Sequence, residues 1–295
     1  MKMRRYRSLL LVCLGLAACR GEDGPATQQR ADAPQSLADL VLTYPYVAAL
    51  GEVRVASDIS QASSDQHVQH MKRVWDSFSG IWSKRRGDRL DWYYSEDRNK
   101  VLTAIDLCPT EVVRAETRLL TACYSGEYPI WFIEPFTRPD FGTQLHEISH
   151  DFVFSTYWGA ADFPWFIEGT GMYYEGGVFQ ADGSLTTTQP LPRLVETFDL
   201  YDGLGKLLAL DTLVWLDRDQ FYRGDDPPAY YAQSGLLWYF LEAHHPSVVD
   251  QLLGELNRAD PWLRDNQWVL DFIVEATGLS LSQLDEGYLK LARSF

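Results

Sequence analysis

The stretch "TQLHEISHDF", residues 143–152, decides how the chain is read. It carries two of the six histidines, His146 and His150, with Glu147 directly after the first. Helical positions i and i+4 face the same way, so both imidazoles can address one ion. Glu147 lies about 100° further round the axis. From there it reaches a water rather than the ion, which gives two ligands and one base on a single helix. Leu145, Ile148, Ser149 and Phe152 are apolar or small and suit a buried helix.

A catalytic zinc takes three protein ligands and keeps one position open. "DFPWFIEGTGMYYEGG", residues 162–177, supplies the third. Pro164 opens a second helix and Gly176-Gly177 closes it. Glu168 sits mid-helix among apolar residues, where a carboxylate is costly unless it is paired or metal-bound. A core salt bridge through Glu168 or Glu175 is the bland alternative. Gly169 and Gly171 weaken a helix but allow close approach by a neighbour.

HExxH followed by Trp165, Glu168, Gly169, Tyr173 and Glu175 resembles the W-x-x-E-G-x-x-x-Y-x-E pattern of gluzincin metallopeptidases, the Peptidase MA-like group that includes thermolysin and aminopeptidase N. Seventeen residues separate His150 from Glu168, one fewer than in the aminopeptidase branch. The resemblance is firm over 140–245. It implies a zinc-dependent peptide-bond hydrolase with His146, His150 and Glu168 as ligands and Glu147 as base. It also implies an α+β, zincin-like fold: an N-terminal lobe with a small mixed sheet and the HExxH helix, then a helical C-terminal lobe. The lobes are expected at 37–157 and 158–295. A tyrosine in the first turn of a later helix donates to the oxyanion in that branch, which implies Tyr231 within "PAYYAQSGLLWYFLE" (228–242), or Tyr230 if the register slips. The branch's Gly-x-Met-Glu-Asn-like segment, which holds a free amine, does not occur. Glu134 is too near the His helix to replace it, so endopeptidase action is expected over aminopeptidase action. A non-catalytic binding or scaffold lipoprotein on the same fold is the alternative.

Outside the site, "MKMRRYRSLLLVCLGLAA" (1–18) has a basic start and a short apolar run, as in an export signal. "LAAC" ending at Cys19 resembles a lipobox, so lipidation at Cys19 and a tether over 19–36 are expected. The protein would then face the periplasm or cell surface and meet a membrane only through its lipid. In an oxidising compartment Cys108 and Cys123 read as a disulfide, with free thiols as the alternative. The net charge of −15 argues against nucleic acid and hints at cationic substrates. The partner expected is a peptide or protein.

Strands are expected at 52–56 and 89–94, with a hairpin around "SGEY" (125–128). Helical spacing covers 63–84, where His67 and His70 read as an exposed pair, and a short helix is expected near 96–105. The back half reads as helical. One helix starts at Asp225-Asp226 before Pro227-Pro228 and stops at Pro246, and amphipathic segments follow near 261–276 and 279–293.

Overall fold

β-Branched and aromatic alternation builds the front of the molecule. In the computed structural model, which describes residues 39–40, 42–82, 90–97, 99–100, 103, 122–125, 128–132, 142–156, 163–258 and 265–295, five strands form one sheet. They are β1 (Tyr46–Leu50), β2 (Val53–Ser57), β3 (Leu90–Tyr94), β4 (Ala122–Ser125) and β5 (Tyr128–Phe132), in the order β1-β2-β3-β5-β4. The outer pairs are antiparallel and the inner pairs parallel, so the sheet is mixed. The expected hairpin forms between β4 and β5, with Ser125 opposite Tyr128. Val53, Val55, Leu90 and Trp92 are buried.

Helix α1 (Gln61–Ile81) connects β2 to β3 and packs on β1 and β2. Ser60 caps it by accepting from the Ser63 amide. His67 and His70 are not exposed, contrary to expectation: both are buried. α1 is covered on more than one side. The His67 ring lies 4.2 Å from that of Tyr94 on β3, and the His70 ring meets Phe179 edge-on. Burial, then mutual repulsion with His70, lowers His67 to about 3. Burial, then Arg73, lowers His70 to about 4. Both rings are therefore neutral.

Helix α2 (Gly142–Thr156) follows and packs against β4 and β5. Helix α3 (Pro164–Glu175) comes next, then the short pair β6 (Val178–Phe179) and β7 (Leu185–Thr186). The remainder is helical: α4 (Pro192–Gly203), α5 (Leu210–Leu213), α6 (Arg218–Arg223), α7 (Pro227–His244), α8 (Pro246–Arg258), α9 (Asn266–Thr277) and α10 (Leu281–Ala292). α7 starts at Pro227-Pro228 and ends at His244, before Pro246 as expected, and Pro246 opens α8, which the spacing did not reveal. The molecule is thus helix-rich α+β with a small mixed sheet.

α3 and α7 are apolar on nearly every side because both are central. α3 lies between α2 and α7. A Cβ on Gly169 would sit 2.8 Å from the Ser234 carbonyl oxygen on α7, so only glycine allows this approach. Trp165 is buried and donates its indole N–H to Asn266 at 2.9 Å, tying α3 to α9. One apolar core runs from Val53 and Val55 through Ile148 and Phe166 to Tyr288, so it crosses the boundary expected between lobes.

Cys19, Cys108, Glu134 and the segments 1–18 and 19–36 lie outside the described residues, as does the Cys123 side chain. Of the helix expected near 96–105, residues 99, 100 and 103 are helical, 96 and 97 are not, and the rest lie outside the described residues. Among the described residues, no helix is long and apolar enough to cross a membrane.

One half-buried acid gives a stability prediction independent of the site. Burial, then Asp250, raises Glu242 on α7 from 4.5 to about 7. Between those values the folded state holds a proton that the unfolded state has released, so stability falls as pH rises through the window. Glu242→Gln should flatten that fall and raise the urea midpoint at pH 8 above wild type. Unchanged midpoints from pH 5 to 8 would place Glu242 in ordinary solvent.

Candidate metal centre

α2 presents His146 and His150 one turn apart, their rings 4.6 Å between centroids and nearly perpendicular. The helix is anchored below them by Leu145, Ile148, Phe152 and Val153, all buried. α3 brings Glu168 against both. Glu168 Oε2 lies 3.2 Å from His146 Nε2 and 3.6 Å from His150 Nε2. One ligand atom from each of the three residues falls within 4.8 Å of the others, and all three side chains are buried. Gly171 makes this possible, because a Cβ there would lie 2.8 Å from His146 Nε2.

This geometry fits a small divalent ion. Ligands at about 2.0–2.1 Å from a tetrahedral centre stand about 3.3 Å apart, close to the two nitrogen–oxygen separations. The charges also fit. Glu168 and Glu175 are buried carboxylates beside the two imidazoles. Burial opposes a charge on His146, yet the two carboxylates outweigh it and push the imidazole up to about 10. Burial opposes ionisation of Glu168 too, but His150 and His146 hold its carboxyl well below the usual range. The pocket therefore favours a cation, and an ion supplies more positive charge than one proton.

The surroundings hold the ligands in place. Glu175 Oε2 lies 3.4 Å from His146 Nδ1, which directs Nε2 toward Glu168. The other Glu175 oxygen accepts from Arg193 on α4. Tyr222 on α6 donates its hydroxyl to Glu168 Oε1 at 2.6 Å, leaving Oε2 for the histidines. Glu147 is half-buried. Burial raises its carboxyl, while the His146 and His150 charges pull it down.

His146, His150 and Glu168 thus stand together as the spacing demands. Tyr231 is half-buried on the first turn of α7, with its ring 6.2 Å from that of Tyr222, and it lines a neighbouring cavity. Tyr230 and Tyr231 both pack their rings on Phe221. Tyr222 went unread in the sequence. Its only local sign is the capping box of Asp217 and Gln220, which starts α6 but says nothing of the hydroxyl's partner. No protein-family model matches the chain, and no curated protein matches it.

Proposed function

We propose that the protein is a zinc-dependent peptidase of the gluzincin type, exported and lipid-anchored, acting within chains rather than from a free amino end. The observation that carries this reading is the convergence of His146, His150 and Glu168 from two helices, with Glu147 on the first. Zinc held by those three residues would acidify a water to a pKa near about 7 and polarise the scissile carbonyl. Glu147 takes the proton from the attacking water and passes it to the leaving amine, so the amide bond breaks as acid and amine form. Glu175 fixes the His146 ring through Nδ1, and Tyr222 fixes Glu168 through Oε1.

Zinc analysis and a peptide-library digest test the whole reading. One zinc per chain and discrete internal cleavages are expected. A folded protein without zinc at neutral pH rejects it. The anchor is tested separately: the mature N-terminus should be an acylated Cys19 by mass spectrometry, and an unprocessed Met1 rejects export.

The two tyrosines separate two roles. Tyr231 is assigned the oxyanion hydroxyl, which acts mainly in the transition state. Tyr231→Phe should lower turnover by about 10²–10³ with zinc content unchanged. Tyr222 acts through a ligand. Tyr222→Phe should weaken zinc retention by about 10–100-fold, and added zinc should restore turnover. Full turnover in Tyr231→Phe would move the oxyanion role elsewhere and leave the ligands as assigned.

A further inference from the structure

One helical turn along α3 from Glu168 lies a cavity of about 180 Å³, and of the side chains that line it the chemistry above uses only Tyr231. Met172 forms one wall, one helical turn from Glu168 on α3. Tyr231 forms another, next to Tyr222. Arg193, Leu194 and Thr197 of α4 close the third side. The wall is apolar except for the Arg193 guanidinium and the tyrosine and threonine hydroxyls. Arg193 is 62% exposed even though it pairs with Glu175.

The α4 wall continues outward. On a helix, positions 193, 197, 200 and 204 fall within about 60° of one another. Leu200 follows Thr197 on that line and is 53% exposed, and Leu204 at the helix end is 59% exposed. Two large apolar side chains stand in water on the line that leaves the cavity. From Arg193 to Leu204 the helix advances about 16 Å, the length of about five residues of extended chain.

We infer that the substrate is an extended peptide running along α4 for about five residues on one side of the scissile bond, with an apolar side chain in the cavity. The inference rests on the peptidase reading. The occupant follows from position: the cavity shares α3 with Glu168, and the leucines continue its wall. Met172 stands about 6 Å along α3 from Glu168, within reach of the side chain next to a carbonyl held at the metal centre. The exposed Arg193 disfavours a cationic side chain there. The acidic net charge pointed toward cationic substrates, but the one charged side chain that lines this cavity is Arg193, paired with Glu175.

A peptide series lengthened from one to six residues on each side of a fixed scissile bond tests this, with wild type and Leu200→Asp/Leu204→Asp. Both leucines are exposed, so the variant is expected to fold. On one side, kcat/KM should rise at least tenfold up to about five residues, carried by KM, and the double variant should lose that gain. At the position entering the cavity, Leu, Met or Phe should outrank Lys and Arg, and Thr197→Trp should shift the ranking toward Ala.

Cleavage of short and long peptides at equal rates overturns the inference and leaves the peptidase reading standing. So does a length gain that survives in the double variant. A wild-type dimer that dissociates in the double variant, with no length response, makes a second copy the occupant and also overturns it. A zinc-loaded protein that cleaves none of the series fails the peptidase reading, and this inference falls with it.

Discussion

Replacing Glu147 by Gln should leave a folded protein that still binds zinc, and under the proposed mechanism peptide hydrolysis should fall by about 10²–10⁴, the usual contribution of a positioned base. The substitution keeps the shape of the side chain and removes its ability to take a proton. Glu147 is not one of the three converging ligands, so zinc content should equal that of wild type. Its half-buried position on α2 raises its carboxyl, which brings its basicity nearer the working pH. The same variant separates catalysis from binding. If the cellular phenotype survives while hydrolysis is lost, the protein acts as a binding module. If hydrolysis itself survives, Glu147 is not the base.

Glu168→Ala should have the other large effect. It removes the carboxylate that both imidazoles face, at 3.2 and 3.6 Å. Zinc should be lost on dialysis against a weak chelator that leaves wild type loaded, and hydrolysis should vanish with it. Glu175→Gln is the comparison. Besides Arg193 it faces the far nitrogen of His146, so zinc should weaken by about 10–100-fold and return when zinc is added. The Ala variant also removes the acceptor of the half-buried Tyr222 hydroxyl, at a cost of about 1–3 kcal/mol. A Glu168→Ala protein that keeps wild-type zinc would show that the third ligand lies elsewhere.

The metal-centre residues were legible because helical periodicity is local. His146 and His150 must share a face wherever residues 143–152 are helical, and Pro164 with Gly176-Gly177 delimits the second helix without reference to the rest of the fold. The glycines at 169 and 171 announced close approach, though not what approaches: the Ser234 backbone in one case and the His146 ring in the other. The β4–β5 hairpin was legible for the same local reason.

Long-range contacts were not. His67 and His70 are polar by type, and only the stacking of α1 between Tyr94 and Phe179 buries them. Tyr222 lies 54 residues from Glu168 and reaches it because α6 folds back on α3. Tyr231 was assigned through a resemblance, and the fold gives it a cavity wall beside Tyr222. Sequence therefore determined which side chains can converge within a helix turn or a helix pair, since 3.6 residues per turn fixes that geometry. Tertiary structure alone decided which distant groups stand against those side chains and where cavities and exposed apolar faces lie, because those contacts depend on how separate helices pack.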